Sequence, residues 1–504
     1  MSKLLVVELD GASWDVIDPL MSAGKMPNLE KLVTHGTSAT LMSDPPLLSP
    51  KLWTSIFSGK KSAEHGVEFF GSSSKIVRCK RIWDICNDKG LKVGVFGTMV
   101  TWPPYPVNGF MIPSLFSIGT ETYPEEFQFL QELTLGERRK NLHGANVKTT
   151  KRNKLSNVFY YARKLRQHGV RLSTFFSSGK FLLNNFLLRP SQEASYWKKT
   201  FLHQRICTEI FASLYRKYRP AFATHHIHFC DALSHRYWKY YEPEKFKDVP
   251  ADLVDRYGKV IPQAYIEADK NIGDFMAMMD EQTTIMVLSD HGCQALETLR
   301  ESFKLRNDTF LGMLKLDKKV IPANVGFVTF IHFVDKSIMP KISQILTEAC
   351  FTESGEKLFD LIHEESLIGV RLSEKFWGIP IDDQSKITLG QQRDVPFSTL
   401  FSPHKMDVSG DHKVEGMLVI AGPGIKQRNK LFHADIYDIT PTALAVMGLP
   451  VGRDMHGNVL EDIFLHPWKQ SYVDSYDLEN SAADDDENVD IDKVKDRLKS
   501  LGYL

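Results

Sequence analysis

Six acidic and histidine residues lie beside short apolar segments that are predicted to be buried strands. They are Asp10, Asp231, His235, Asp290, His291 and His412. Because the carboxyl ends of parallel strands meet at one edge of a sheet, these side chains can converge on a single site. Carboxylates and imidazoles in this number suit two divalent cations of the zinc or manganese type, whose remaining positions are filled by substrate or water.

Ser49 begins a segment with a helical apolar pattern that ends at Gly59. A serine followed by a proline predicts that Ser49 is the N-cap and Pro50 the first helical residue. Free backbone N–H groups and the positive end of the helix dipole attract phosphate at this position. An isolated Ser-Pro is most often a simple cap, but beside a metal cluster Ser49 becomes a candidate nucleophile.

The elements that must position these residues alternate between short apolar runs and amphipathic helices. The predicted strands are Leu4–Leu9, Lys92–Phe96, Phe222–Phe229, Thr284–Leu288 and Met417–Ala421, and the predicted helices are Pro27–His35 and Asp438–Met447. Asp231 is expected at the end of the third strand, and polar or Gly-rich residues follow each of the last three, where ligands usually bind. The pattern predicts an α/β fold, a three-layer sandwich with a mostly parallel central sheet.

One region departs from this alternation, and we predict that it is an inserted, mostly helical cap over residues 121–214. Acidic residues are absent between Glu137 and Glu193. Basic residues crowd its first part: Arg138, Arg139, Lys140, Lys148, Lys151, Arg152, Lys154, Arg163, Lys164, Arg166 and Arg171. Such a charge run is either a solvated face or a lid that attracts an anionic substrate. No nucleic-acid-binding motif accompanies it.

The catalytic core is then expected to comprise residues 1–120 and 215–465. Residues 466–504 carry the acidic run Asp484–Glu487, predicted to be a solvated linker, and a short predicted helix over Val494–Leu501.

Composition excludes several classes of protein. The 504 residues carry 62 Lys and Arg against 62 Asp and Glu, a formal net charge of zero that argues against a whole-surface polyanion binder. A hydrophobic content of 42% is too high for a disordered chain. No apolar run reaches the roughly 18 residues that span a bilayer, and the first apolar run is too short for a signal peptide. We therefore expect a cytoplasmic protein with no membrane partner.

The cysteines show no CxxC pair or short-range framework, so we predict reduced thiols rather than a zinc knuckle or disulfides. They are Cys79, Cys86, Cys207, Cys230, Cys293 and Cys350.

In combination, these residues resemble the alkaline phosphatase superfamily, specifically its type I phosphodiesterase and nucleotide pyrophosphatase branch. The matching motifs are Asp10-Gly11, Pro27-Asn28-Leu29, Ser49 to Gly59 with His65-Gly66, Asp231 with His235, Asp290-His291-Gly292, His412 and Asp438 to Thr442. The resemblance covers residues 1–120 and 215–465 and leaves the basic insertion uncovered.

This resemblance implies two metal-binding sets and a nucleophile. One set is Asp10, Asp290 and His291 together with Ser49, and the other is Asp231, His235 and His412. The implied cofactors are two divalent ions, zinc first and manganese second. Ser49 would attack phosphorus to give a phosphoseryl intermediate, which water then hydrolyses.

Two departures from relatives of this branch narrow the chemistry. Nucleotide pyrophosphatases carry a threonine nucleophile and, three residues later, an asparagine that contacts phosphate, where this chain has Ser49 and Leu52. We therefore predict that Lys51 or backbone N–H groups contact the phosphate. Sulfatases need proline and arginine where this chain has Lys51 and Trp53, so sulfatase activity is not expected.

The predicted function is hydrolysis of a phosphodiester or pyrophosphate in a small phosphorylated substrate, such as a nucleotide or sugar-phosphate derivative. A phosphomonoesterase or phosphotransferase on the same site stays open, as does an inactive module that binds a phosphorylated ligand.

Several neighbouring residues are assigned to structural roles, and for His225, His226 and His228 support of the ligand residues is the alternative. They are His65, His225, His226 and His228, and the aromatic residues Trp53, Phe57, Phe69 and Phe70, which we expect to pack in the core. His404 competes with His412 for the last ligand position, and the resemblance favours His412, which lies at the family's spacing ahead of Gly416 and the following strand.

Overall fold

The computed structural model describes most of the chain. The described residues are 2–68, 72–117, 119–139, 154–188, 190–296, 302–316, 319–325, 328–363, 367–376, 381–382, 385–404 and 408–477.

The helices are α1 (Trp14–Ser22), α2 (Pro27–His35), α3 (Ser49–Ser58), α4 (Ser62–His65), α5 (Ile82–Asp88), α6 (Gln128–Arg139), α7 (Lys154–Gln167), α8 (Leu172–Leu188), α9 (Gln192–Tyr218), α10 (Phe229–Tyr241), α11 (Ala251–Tyr257), α12 (Val260–Met276), α13 (Asn307–Met313), α14 (Met339–Glu348), α15 (Phe397–Leu400) and α16 (Ile439–Met447).

The strands are β1 (Lys3–Leu9), β2 (Thr37–Met42), β3 (Val93–Phe96), β4 (Gly109–Ile112), β5 (Phe222–Ile227), β6 (Thr283–Leu288), β7 (Gly292–Ala295), β8 (Ser302–Leu305), β9 (Val320–Val325), β10 (Val328–Phe333), β11 (Cys350–Phe351), β12 (Phe359–His363), β13 (Leu367–Leu372), β14 (Lys386–Leu389), β15 (Gln392–Pro396), β16 (Phe401–His404), β17 (Gly410–Lys413), β18 (Glu415–Ala421), β19 (Arg428–Asp435), β20 (Val451–Gly452) and β21 (Tyr472–Val473).

Eight strands form the central sheet, in the order β19-β2-β18-β6-β1-β5-β3-β4. Neighbouring strands are parallel except at β18, which runs antiparallel to both β2 and β6. The predicted mostly parallel sheet is therefore confirmed, and the five predicted strands are present with bounds shifted by one or two residues. The third one ends at Ile227, so the expectation that it reaches Phe229 is wrong, because Phe229 begins α10.

Helices cover both faces of this sheet, which gives the expected three layers. Side chains of β1 alternate: Leu5, Val7 and Leu9 enter an apolar cluster with α1, α2, α9, α10 and α12, whereas Leu4 and Val6 enter another with α3, α5 and α16. Trp53 and Phe57 are buried in the second cluster, as predicted. Phe69 and Phe70 lie outside the described residues.

A second region with its own apolar core lies between β7 and β17. It contains a four-stranded sheet, β12-β13-β10-β9, a three-stranded sheet, β11-β14-β15, and the pair β8-β16. Phe310, Ile331, Leu346, Ile368 and Phe397 belong to its buried cluster. The predicted catalytic core, residues 215–465, included this region without a boundary.

The basic insertion is helical in its described part, from α6 to α9. The C-terminal half of α9 packs into the core through Ile210, Phe211 and Leu214, so the bound predicted at residue 214 falls inside a helix. Of the basic residues, Lys140, Lys148, Lys151 and Arg152 lie outside the described residues, as do Asp484–Glu487 and the predicted helix Val494–Leu501.

Within the described part of the chain, no helix is both long and apolar enough to cross a membrane. All six cysteines are free thiols, as predicted.

Candidate active site

The carboxyl ends of β1 and β6 carry three of the predicted site residues. Asp10 follows β1 directly, and Asp290 and His291 lie between β6 and β7. His412 lies in β17, which pairs with β7 at Cys293. It reaches the same edge because β18 is antiparallel, so that the start of β18 lies beside the ends of its neighbours. The residues that follow Ala421 are at the opposite edge, and the expectation of chemistry there is wrong.

Asp231 and His235 come from a helix rather than from a strand end. Both lie in α10, four residues apart and therefore on one face. Phe229 starts this helix, which places Asp231 in its first turn and corrects its expected position at the end of β5. His235 Nε2 lies 3.1 Å from Asp231 Oδ1.

Two glycines allow the close approach of these elements. Gly11 has φ +68°, and a Cβ there would lie 2.9 Å from both Asp231 Cβ and Cys293 Sγ. A Cβ at Gly410 would lie 2.4 Å from the Ser234 carbonyl oxygen. Any larger residue would push α10 away from β1 or from β17, and so would separate the site residues.

One half of the site, here called the Asp231 group, consists of Asp231, His235 and His412. His412 Nε2 lies 3.2 Å from Asp231 Oδ1 and 3.0 Å from His235 Nε2. Three potential ligand atoms from two elements therefore meet at one point.

The other half, the Asp290 group, consists of Asp10, Asp290, His291 and Ser49. His291 Nε2 lies 3.5 Å from Asp290 Oδ2 and 3.7 Å from Asp10 Oδ1. Ser49 Oγ is 3.2 Å from His291 Nε2 and donates to Asp10 Oδ1 over 3.4 Å. The rings of His291 and His412 stack with centroids 3.8 Å apart, so the two groups adjoin.

The orientation of all three imidazoles is set by backbone carbonyl groups. Nδ1 of His235 donates to Gly410 O at 2.8 Å, Nδ1 of His291 to Gly292 O at 3.0 Å, and Nδ1 of His412 to Leu47 O at 2.9 Å. A carbonyl oxygen can only accept, so each Nδ1 carries a proton and the neutral ring keeps its lone pair on Nε2. This arrangement is typical of metal-ligating histidines.

The donor set fits divalent cations. Asp290 Oδ2 is buried and has no hydrogen-bond donor among the described residues. The ion pairs that described residues form with the three carboxylates all come from histidines. A buried ion without compensation costs on the order of several kcal/mol, so three buried carboxylates call for added positive charge. Ligand atoms of Asp10, Asp290 and His291, and of Asp231, His291 and His412, lie within 4.8 Å of one another.

The pKa shifts follow the same charge distribution. Burial raises the pKa of Asp10 well above its ordinary value, and the nearby Asp290 carboxylate raises it further. Burial also acts to raise the pKa of Asp231, but His235 and His412 hold it well below its ordinary value. Burial acts to lower the pKa of His235, yet Asp231 raises it to about 9.

Ser49 is the first residue of α3 and not its N-cap, which is Leu48. The predicted cap is therefore wrong by one position, and Pro50 is the second helical residue. The Ser49 hydroxyl faces Asp10 and His291 and does not cap the helix. Ser49 therefore lies at the positive end of the α3 dipole with its hydroxyl directed into the site, and it is 3% exposed.

Comparison with known protein families agrees with this geometry. The model of the type I phosphodiesterase / nucleotide pyrophosphatase family matches residues 4–312. The chain belongs to this family. It is therefore a hydrolase that acts on phosphoric ester bonds, from a family that is typically dependent on divalent metals. His412 lies beyond the matched residues and joins the site only through the fold.

Comparison with curated protein sequences found no match. Among solved structures, the chain is similar to murine and human ectonucleotide pyrophosphatase / phosphodiesterase 5, each at 12% identity and covering 92% of this chain and 100% of that chain. The TM-scores are 0.46 and 0.47.

Two further residues considered in the sequence, Lys51 and His404, have other positions in this phosphodiesterase-family protein. The Lys51 ammonium donates to Pro45 O at 2.8 Å and to Asp44 O at 3.2 Å, and Lys51 is 2% exposed. Its contact with phosphate stays a prediction. His404 ends β16, which pairs with β8 in the second region, whereas His412 lies at the active-site edge.

Glu8 was not among the predicted site residues of this family member, and it supports Asp10 through His226. His226 bridges Glu8 and Asp10, with Nδ1 3.0 Å from Glu8 Oε2 and Nε2 3.3 Å from Asp10 Oδ2. Hydroxyl groups of Thr98 and Thr224 also donate to Glu8. Burial acts to lower the pKa of His226, but contacts with Asp10 and Glu8 raise it to about 10. An acidic residue inside an otherwise apolar strand was the available signal.

His65 and His225 have structural partners, as predicted. His65 accepts from the Val67 N–H at Nδ1 and contacts the Ser55 hydroxyl at 3.0 Å. His225 Nε2 lies 3.0 Å from the Gln204 amide on α9. Burial lowers the pKa of both His65 and His225 to about 3.

Proposed function

We propose that this protein hydrolyses a phosphodiester or pyrophosphate bond of a small phosphorylated substrate in two steps, with Ser49 as the nucleophile. The observation that carries the proposal is the position of Ser49 Oγ, 3.2 Å from His291 Nε2 and 3.4 Å from Asp10 Oδ1, at the first residue of α3. A hydroxyl among ligand atoms and a helix N-terminus combines an activated nucleophile with an anion site.

The two groups would each hold one divalent cation, the Asp290 group one and the Asp231 group another. Zinc is the first choice because three imidazoles contribute, and manganese is the second. When bound, the cations supply Lewis acidity that lowers the pKa of an oxygen nucleophile and neutralises negative charge on phosphate.

In the first step, Ser49 Oγ forms a bond to phosphorus while the bond to the leaving oxygen breaks. Before the reaction, the hydroxyl donates to Asp10 Oδ1, which leaves a lone pair on Oγ for phosphorus. As the Oγ–P bond forms, this proton leaves along the same hydrogen bond and passes through water to the leaving oxygen, so that the leaving group departs protonated. Backbone N–H groups at the start of α3 donate to the phosphoryl oxygens as charge develops there.

In the second step, water attacks the phosphoserine, and the Oγ–P bond breaks as Ser49 Oγ regains a proton. The Asp231 group lies on the more accessible side, where water can enter: the side chain of His235 is 17% exposed, against 0% for His291.

Turnover of two model substrates by metal-free and reloaded protein tests the proposal. Bis-p-nitrophenyl phosphate and p-nitrophenyl phosphate are compared with zinc or manganese present, for wild type, Ser49→Ala and Ser58→Ala. Ser58 is a matched control because it is buried in the same helix and bonds the Thr54 carbonyl and the Lys60 N–H, far from the Asp10 and His291 contacts of Ser49 in the helix. We expect diester hydrolysis that depends on added metal and falls about a thousandfold or more in Ser49→Ala.

A covalent adduct on Ser49, trapped by acid quench and found by mass spectrometry, would support the two-step route. Equal rates in wild type and Ser49→Ala would refute the nucleophile. A preference for the monoester would replace the diesterase by a phosphomonoesterase, and metal binding without turnover of either substrate would indicate a binding module.

A further inference from the structure

Large exposed apolar side chains are concentrated in α7 and α8 of the helical insertion. In these two helices they are Val158, Phe159, Leu172, Phe176, Leu182, Leu183, Leu187 and Leu188. Elsewhere in the described residues, the large exposed apolar side chains are Val334, Leu465 and Tyr472. Phe176 is 79% exposed and Phe159 is 74% exposed, so these rings lie almost wholly in solvent.

Four of these side chains form a line along one face of α8, here called the α8 stripe. Leu172, Phe176, Leu183 and Leu187 are spaced by four, seven and four residues, which places them within an arc of about 60°. The opposite face is anchored to the rest of the insertion, since the Thr174 hydroxyl donates to Glu209 of α9. The stripe therefore faces outward.

The charge around the stripe has a single sign. Residues 138–192 contain thirteen Lys and Arg and no Asp or Glu. On α7, Arg163 and Arg166 follow Phe159 by four and seven residues, so the three exposed side chains share one face. Lys180 is exposed on α8 between Phe176 and Leu183. An occupant of this surface must accept apolar side chains and carry negative charge.

We infer that α7 and α8 dock on the surface of a lipid bilayer rich in anionic lipid. Exposed leucine and phenylalanine beside arginine and lysine are the composition of helices that lie in the membrane interface. The 17 residues of α8 extend about 25 Å, less than the roughly 30 Å hydrocarbon core, and one face is held by α9. The helix therefore lies on the bilayer, which replaces the sequence-based expectation of no membrane partner.

The docking surface is connected to the active-site edge through the start of α9. The Tyr237 hydroxyl donates to Glu193 O at 2.8 Å, and the Arg236 guanidinium lies 4.3 Å from the centre of the Tyr196 ring. Both partners on α10 directly follow His235. Only three residues separate Leu188 from α9. Docking through this end of α8 holds the active-site edge near the lipid headgroups.

Vesicle flotation of the full chain tests the inference. Vesicles of phosphatidylcholine mixed with phosphatidylglycerol are compared with pure phosphatidylcholine vesicles. We expect wild type to float with the mixed vesicles, and Phe176→Asp/Leu183→Asp to bind them about tenfold or more weakly. Arg163→Gln/Arg166→Gln should weaken binding to the mixed vesicles and reduce its dependence on salt.

The matched control is Val334→Asp/Leu465→Asp, which changes exposed apolar side chains outside the insertion. It should bind the mixed vesicles as wild type does. All three variants alter exposed side chains, and unchanged hydrolysis of a soluble diester confirms that each is folded.

Wild type that stays unbound with both kinds of vesicle would overturn the inference, as would a stripe variant that floats as well as wild type. Equal binding to pure phosphatidylcholine would overturn the requirement for anionic lipid. A second outcome would also overturn the inference. If wild type is a dimer in the absence of lipid, and the stripe variant is a monomer and does not float, the surface joins two copies of the chain instead.

Discussion

The two halves of the active site differ in charge, in exposure and in the elements that build them. The Asp231 group has one carboxylate and two imidazoles from α10 and β17, with side chains 9%, 17% and 7% exposed for Asp231, His235 and His412. The Asp290 group has two carboxylates, one imidazole and Ser49, all at most 3% exposed. The half that contains Ser49 is sealed and more negative, whereas the other half is partly open to solvent.

In the proposed two-step mechanism, this difference gives the two halves different roles. A sealed site strengthens electrostatic interaction with the reacting phosphate, and an accessible one admits the water that completes turnover. Removing charge from the sealed half should therefore cost more than removing a ligand from the open half.

The largest effect is expected from Asp290→Asn. It removes one of two carboxylates from the sealed half, where Asp290 Oδ2 receives no hydrogen bond from the described residues. We expect diester turnover to fall by about a thousandfold and bound metal to fall by one equivalent, measured by steady-state kinetics and elemental analysis. Asp280→Asn is the control, because Asp280 pairs with Lys3 at the other end of β6. Unchanged metal content in Asp290→Asn would contradict the assignment.

A smaller loss, of about a hundredfold, is expected from His412→Ala in the open half, where His235 and Asp231 remain as candidate ligands. His404→Ala is the paired control, since His404 belongs to the second region. Turnover that falls in His404→Ala and survives in His412→Ala would reverse the choice between these histidines.

His226→Gln should weaken metal binding to the sealed half by about 10- to 100-fold through the loss of a group that orients Asp10. Metal titration by calorimetry measures it, and kcat at saturating metal should change less. His225→Gln is the control, because His225 lies next to His226 on the opposite face of β5. This variant should lower the stability of the protein without a change in metal affinity. Identical affinities for both variants would refute the positioning role.

The smallest effect concerns the pH dependence of stability in metal-free protein. The pKa of His235 is raised to about 9 and that of His226 to about 10, above the ordinary value of 6.5. Groups with a raised folded-state pKa stabilise the fold fully below pH 6.5 and lose that contribution as pH rises towards 9 to 10.

We therefore expect the melting temperature of metal-free protein to fall over this pH window. Metal-loaded protein should show a weaker decline, because a ligated His235 binds no proton. Parallel melting curves with and without metal would count against metal binding at His235.

The amino-acid pattern predicted most of what lies next to the site. A strand and the site residue that follows it could be predicted from the same stretch of sequence, because an apolar run and the polar residue that ends it are local features. Examples are Leu4–Leu9 followed by Asp10, and Thr284–Leu288 followed by Asp290. The structure brings all six candidate ligands and Ser49 together. Local pattern could not reveal that Glu8 supports Asp10 through His226, since the two partners come from strands that are more than two hundred residues apart in sequence.

What the sequence determined by itself is the class of fold, the family and the residue types available for catalysis, because these depend on periodicity and on motif spacing. The direction of β18, which brings His412 to the edge, was decided only in the tertiary structure. So were the origin of Asp231 in a helix, the separate core of residues 302–404 and the outward face of α8. Each of these depends on pairing and packing between segments distant in sequence, and such contacts leave no trace in local pattern.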